Sequence, residues 1–202
     1  MKKLAAILCL SALTTGAFAQ GLVQFFPTAS TLSSINVGGT ATATSGAAGS
    51  YFYGLLTASA PAGPFTFSGT YATNLSVAGY FGGPGGRQVT GWAAGTTMSY
   101  EVAMWSSSLG AIWKNGWLQA NGSPQPAGSA VWGGSGYFGL SAVATGISGG
   151  AGTPASPPLP LFGGASGIQS GFVGQPVGVP EPSSMALAGL GAAALLIFRR
   201  RK

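Results

Sequence analysis

The stretch Thr96-Thr97-Met98-Ser99-Tyr100-Glu101-Val102-Ala103-Met104-Trp105-Ser106 decides the class of fold. Met98, Tyr100, Val102 and Met104 alternate along it with Ser99, Glu101, Ala103 and Trp105. Successive side chains of a strand point to opposite faces, so this period of two predicts a β-strand with one apolar face. Outward from it, short β-branched and aromatic runs predict further strands. They fall at Leu22–Phe26, Ser34–Val37, Thr40–Thr44, Tyr51–Thr57, Phe65–Tyr71, Ser76–Phe81, Arg87–Trp92 and Gly136–Val143. Breakers such as Ala60-Pro61-Ala62-Gly63-Pro64 and Gly82-Gly83-Pro84-Gly85-Gly86 separate them. The helix formers Glu, Lys and Gln are scarce. Residues 20–147 therefore predict a single all-β, β-sandwich-like domain, with a β-helix or β-roll as runner-up. Unequal strand spacing and the lack of a fixed repeat argue against a solenoid.

After Ile147 the alternation fades. Residues 148–178 are rich in Gly and Pro, and Thr153-Pro154-Ala155-Ser156-Pro157-Pro158-Leu159-Pro160 is too proline-rich for a central strand or a helix. The segment reads as an extended cover over a sheet edge or as a tether. Phe162, Ile168, Phe172 and Val173 leave room for one last strand.

A formal net charge of +6 points to a polyanionic partner until the charges are placed. Lys2 and Lys3 lie at one end of the chain, and Arg199, Arg200, Arg201 and Lys202 at the other. Between Gln20 and Val179 only Arg87, Lys114 and Glu101 remain, two cations and one anion, for a net charge of +1. Non-specific nucleic-acid binding takes several phosphate contacts from a basic patch. Nucleic acid is therefore not an expected partner.

The two ends read as targeting segments. Met1-Lys2-Lys3 is basic, Leu4–Leu13 is apolar, and Ala17-Phe18-Ala19 is an A-x-A site. This order predicts a secretory signal peptide over residues 1–19, with cleavage after Ala19 leaving Gln20 as the new N-terminus. The only cysteine, Cys9, lies inside it, so the mature chain carries no disulfide and no thiol. At the far end, Val179-Pro180-Glu181-Pro182 precedes Ser183 and Ser184, an apolar run from Met185 to Phe198, and the basic cluster Arg199 to Lys202. The prolines stop structure from running in, and a serine can cap the first free amides. The apolar run alone rises roughly 21 Å, against a bilayer core of about 30 Å. Flanking residues and snorkelling arginines bring the helix predicted over 183–198 close to membrane thickness. By the positive-inside rule Arg199–Lys202 lie on the cytoplasmic side and the body lies outside.

Catalytic chemistry has little to work with. The chain has no histidine and no aspartate, and Glu101 is the only carboxylate of the body. Paired-carboxylate glycoside hydrolysis, a Ser-His-Asp or Cys-His site, and zinc coordination all lack their groups. No metal and no cofactor is expected, and the body reads as non-enzymatic. A serine activated by Lys114 is the one option left. Trp113-Lys114-Asn115-Gly116, however, is a turn-like stretch that takes the lysine to solvent. Glu101 is expected to be solvated, or to pair with Arg87 or Lys114 across the sheet. Asn74-Leu75-Ser76 and Asn121-Gly122-Ser123 match a glycosylation sequon but read as turn signatures.

The five tryptophans fit two roles, core plugs or platforms for sugar rings. Trp113 and Trp117, in a polar loop with Asn115, Gln119 and Asn121, are the candidate glycan-binding pair. Thr40, Thr42 and Thr44 share one predicted strand face in the spacing of flat ice-binding sheets. A single run is too little for such a surface.

The sorting residues Val179, Pro180, Glu181 and Pro182, the apolar helix and the basic stop Arg199, Arg200, Arg201 and Lys202 together resemble the PEP-CTERM sorting signal of exported bacterial proteins. The same tail is also labelled an ice-binding-protein C-terminal domain. The resemblance covers about an eighth of the chain. It implies processing by an exosortase, a membrane transpeptidase-like enzyme. It also implies anchoring in the inner membrane of a bacterium, N-terminus outside and C-terminus cytoplasmic, then passage to the cell surface or extracellular matrix. There such proteins meet exopolysaccharide. The expectation is a non-catalytic exported surface or matrix protein. The alternative is a carbohydrate-binding module for surface polysaccharide that uses Trp113 and Trp117.

Overall fold

The computed structural model describes residues 20–178 and 188–192. The described strands are β1 (Gln20–Gln24), β2 (Ser33–Val37), β3 (Thr40–Ala43), β4 (Tyr51–Ala58), β5 (Thr66–Thr73), β6 (Gly86–Ala93), β7 (Thr97–Ser106), β8 (Gly136–Leu140), β9 (Ala144–Ile147), β10 (Leu159–Pro160) and β11 (Phe172–Val177). They make two sheets. The larger has the order β3-β2-β11-β8-β7-β4-β5 with β9 also on β7, and the smaller the order β10-β1-β6. The protein is a mostly-β, sandwich-like fold without a closed barrel.

β7 is the hub of the large sheet. It pairs antiparallel with β4 from Tyr51↔Ser106 to Ala58↔Ser99. Its other edge carries β8 at Ala103–Trp105 and β9 at Thr97–Tyr100. The even-numbered side chains of β7 face the small sheet. There Tyr100, Val102 and Met104 join Tyr53 and Leu55 of β4 and Val23, Phe25, Val89 and Trp92 in one buried cluster. Apolar area removed from water at about 25 cal/mol per Å² makes this layer the main source of stability. At its centre the Tyr53 ring stacks on Phe81, centroids 3.8 Å apart. The Tyr53 hydroxyl donates to Thr44 Oγ1 at 3.0 Å, and Ser33 Oγ lies 2.8 Å from it. Burial pushes this phenol up to about 12, against the opposing effect of its Ser33 and Thr44 partners.

The odd-numbered face of β7 is buried too, where the sequence predicts only one apolar face. Residues 107–135 do not form a strand. They cross this face as three 3-10 turns, at Ser107–Leu109, Asn115–Trp117 and Ala130–Trp132. Together they roof a second layer containing Leu56, Ala103, Trp105, Trp117, Trp132 and Phe138. Glycines and prolines at 110, 116, 122, 124, 126 and 128 prevent regular structure here, so the tryptophans supply the packing of this layer.

Three predicted elements differ from the structure. Ser76–Phe81 is a turn rather than a strand. Tyr80 N–H donates to Val77 O, Gly79 takes φ +79°, and only the bridge Asn74↔Phe81 is ladder-like. Gly136–Val143 ends early, as β8 at Leu140, and β9 follows from Ala144 on β7 in a register that differs by a single residue. That extra residue is a bulge. In Thr40–Thr44 the threonines do not share one environment. Thr40 and Thr42 are exposed, whereas Thr44 is buried beside Ser33.

The proline-rich segment contributes β10, a parallel partner of β1 at Val23↔Leu159 and Gln24↔Pro160. β11 lies inside the large sheet, parallel to β2 and antiparallel to β8. The predicted signal peptide with Ala17 and Ala19, the sorting residues Val179 to Pro182, most of the predicted helix over 183–198 and Arg199 to Lys202 lie outside the described residues. Residues 188–192 are helical, and no helix among the described residues is long and apolar enough to cross a membrane.

Candidate functional site

Segment 107–135 brings the candidate aromatic pair together but gives its members different surroundings. Trp117 is 0 % exposed, with ring centroids 5.6 Å from Trp105, 5.5 Å from Trp113 and 5.9 Å from Phe138. A ring enclosed on all sides has no free face for a sugar, so the glycan-stacking role expected of Trp117 has no surface to act through. Trp113 is half-buried. It stacks on Phe67 at 5.4 Å and 26°, and its Nε1–H donates to Asn115 Oδ1 at 3.1 Å. Beside it a groove of about 460 Å³ is lined by Phe65, Phe67, Trp113, Asn115, Leu118 and Gln119. Asn121 takes no part in that lining; its Oδ1 accepts from Ser123 N–H, closing the turn.

The buried tryptophans explain their own placement. Trp92, Trp105 and Trp132 are buried, and their indole N–H groups donate to the carbonyls of Thr96, Gly110 and Pro126 at 2.8–2.9 Å. Trp117 Nε1 is buried without a partner. Lys114 Nζ lies 5.8 Å from the Trp117 ring centroid, a cation–π position. The lysine considered as a base for serine thus stands over an aromatic ring.

Glu101 contradicts the expectation of a solvated or ion-paired side chain. It is 5 % exposed, and its Oε1 is buried without a hydrogen-bond partner. On β7 it shares a face with Ala103 and Trp105 and stands opposite Leu56 of β4. Arg87 instead donates to Tyr71 O. Burial pushes the Glu101 carboxyl up to about 7. Asn74 is also consumed by the fold. Its Oδ1 accepts from Tyr51 N–H and its Nδ2 donates to Ala47 O, both at 3.0 Å, so this buried sequon holds a loop to β4.

The structure also places together a group of residues that the sequence does not mark. At the end of the large sheet where β11 finishes, a cleft of about 770 Å³ is lined by Ser45, Ser50, Ser107, Ser135, Tyr51 and Tyr137, among others. Burial, and secondarily Tyr137, hold the Tyr51 phenol above its ordinary range. Tyr137 N–H donates to Ser106 Oγ at 2.9 Å, and Ser106 Oγ lies 2.9 Å from Ser108 Oγ. No charged side chain among the described residues lines this cleft. Its serines come from separate segments, and only the run Ser106-Ser107-Ser108 is a local signal for it.

Val177 and Gly178 also line this cleft, and there the fold meets the tail. A family model, the PEP-CTERM protein-sorting motif, matches residues 178–202. No curated protein and no solved structure matches the chain.

Proposed function

We propose, from the PEP-CTERM protein-sorting motif at residues 178–202, that this chain is a non-catalytic surface or matrix protein. It is exported, held at the membrane through its tail and processed there by an exosortase. The motif is the observation that carries the reading. Its position supports it. Every described strand lies upstream of the motif, so removal of the tail leaves both sheets whole. The sparse chemistry of the body also supports a non-catalytic role. Its one carboxylate is buried on β7 opposite Leu56, and Lys114 lies over an indole ring.

The test is fractionation of cells that make the chain with and without Arg199–Lys202. The intact chain is expected in the membrane or outside the cell, and loss of the basic stop is expected to change its retention. An unchanged cytosolic location of both forms contradicts the proposal.

The half-exposed Trp113 favours a second reading, carbohydrate binding to surface polysaccharide. An aromatic platform of Trp113 stacked on Phe67, flanked by the amides of Asn115 and Gln119, fits a neutral sugar ring and its hydroxyls. Trp117 has no part in this version. A polysaccharide pull-down comparing the intact chain with Trp113→Ala tests it. Failure of the intact chain to bind any matrix glycan removes it.

A further inference from the structure

We infer that the serine- and tyrosine-lined end of the sandwich is a docking face for the membrane-embedded enzyme that processes the tail, so that folded body and tail are read together. The inference rests on the reading of the tail given above and goes beyond it, because a sorting signal could act as a free peptide.

The geometry of the exit carries the argument. Val177, the last residue of β11, pairs with Gly136 inside the large sheet. Gly178 N–H then donates to Ala127 O at 2.8 Å, and a Cβ at Gly178 would lie 2.7 Å from Ser135 Oγ. The fold thus holds the chain up to the residue where the sorting motif begins, and no linker intervenes. A fully extended chain covers at most about 3.5 Å per residue. The two to four residues that separate Gly178 from Pro180-Glu181-Pro182 in the sequence can reach at most about 7 to 14 Å. A small domain is about 30 Å across. An enzyme that grips Pro180-Glu181-Pro182 is held by this short reach close to the end of the body where β11 finishes.

The chemistry of the face says how contact is made. Ser45, Ser107, Ser108 and Ser135 are exposed at this end, and Tyr51 and Tyr137 are half-buried. Arg87, Lys114 and Glu101 are absent from the lining. Docking here works through hydroxyl hydrogen bonds and shape, and it lacks the steep salt dependence of a charged interface. The same lack of charge disfavours anionic lipid headgroups, which attract basic segments.

The test follows conversion of the full-length chain to its processed form by pulse-chase in an exporting, processing host. One variant carries Ser107→Arg with Ser135→Arg, both on exposed positions. A second chain adds a flexible Gly/Ser insert of about twelve residues, about 40 Å when extended, between Gly178 and Val179. A third combines both changes. In the native-length chain the arginine pair is expected to slow conversion about tenfold or more, the scale of a few lost interface contacts. In the chain with the insert the same pair is expected to have almost no effect, because the enzyme then reaches the tail without the body.

Conversion of the arginine variant at the parental rate overturns the inference. Equal slowing with and without the insert also overturns it, since the effect then travels through folding or export. Faster conversion together with tighter binding to anionic vesicles assigns the face to headgroups instead. A parental chain that is exported but never converted contradicts the tail reading itself, and the docking face falls with it.

Discussion

Glu101 holds a carboxyl group buried on β7 opposite Leu56, its Oε1 without a hydrogen-bond partner among the described residues, and the ionised form bears the cost of that desolvation. Its folded-state value of about 7 lies above the ordinary 4.5. Between those values the folded chain binds more protons than the unfolded one, so stability falls as pH rises through this window. The protein is expected to be more stable at pH 5 than at pH 8. Glu101→Gln is expected to flatten that dependence and to stabilise the chain at pH 8 by up to about 3 kcal/mol. Urea unfolding at the two pH values checks both expectations, and a pH-independent parental chain contradicts them. Trp117 and Trp113 differ in the same physical sense. Trp117→Ala removes a fully enclosed ring and is expected to cost about 3–5 kcal/mol, whereas Trp113→Ala is expected to cost clearly less. Equal losses in urea melts would place Trp113 in the core as firmly as Trp117. Residue identity alone could not separate these tryptophans, because what distinguishes them is which ring the roof encloses.

At the scale of elements, alternation located the strands that pair over long ladders and failed where pairing is short. β4 and β7 face each other over eight register positions, and their positions are read from local sequence, although the burial of both faces of β7 is not. β10 has only two residues and exists because Leu159 and Pro160 lie along β1. Nothing within Pro157-Pro158-Leu159-Pro160 announces it. Ser76–Phe81 misleads in the opposite direction, since its apolar residues belong to a turn that delivers Phe81 to the core. The edge strand also depends on close backbone approach. A Cβ on Gly149 would lie 2.0 Å from Pro157 O and 2.6 Å from its carbonyl carbon. Gly149 also exchanges backbone hydrogen bonds with Leu22 of β1. Gly149→Ala must push the proline segment off the sheet edge, and a loss of about 1–3 kcal/mol is expected. An unchanged melting temperature contradicts packing of this segment against β1.

For the whole molecule, charge and the C-terminal sorting motif were the most legible features, because they depend on composition and order along the chain. The basic residues that give the chain its net charge of +6 lie mostly in its two ends, leaving a nearly neutral body. The sorting motif adjoins β11 without a linker, a relation visible only once β11 is seen inside the large sheet. The proposed function makes both ends removable addresses of an exported β-sandwich. The most direct measurement is the intact mass of the mature chain recovered from cells and medium. A form outside the cytosol that begins at Gln20 and lacks Arg199–Lys202 is expected. Recovery of an unprocessed 202-residue chain from the cytosol alone contradicts it.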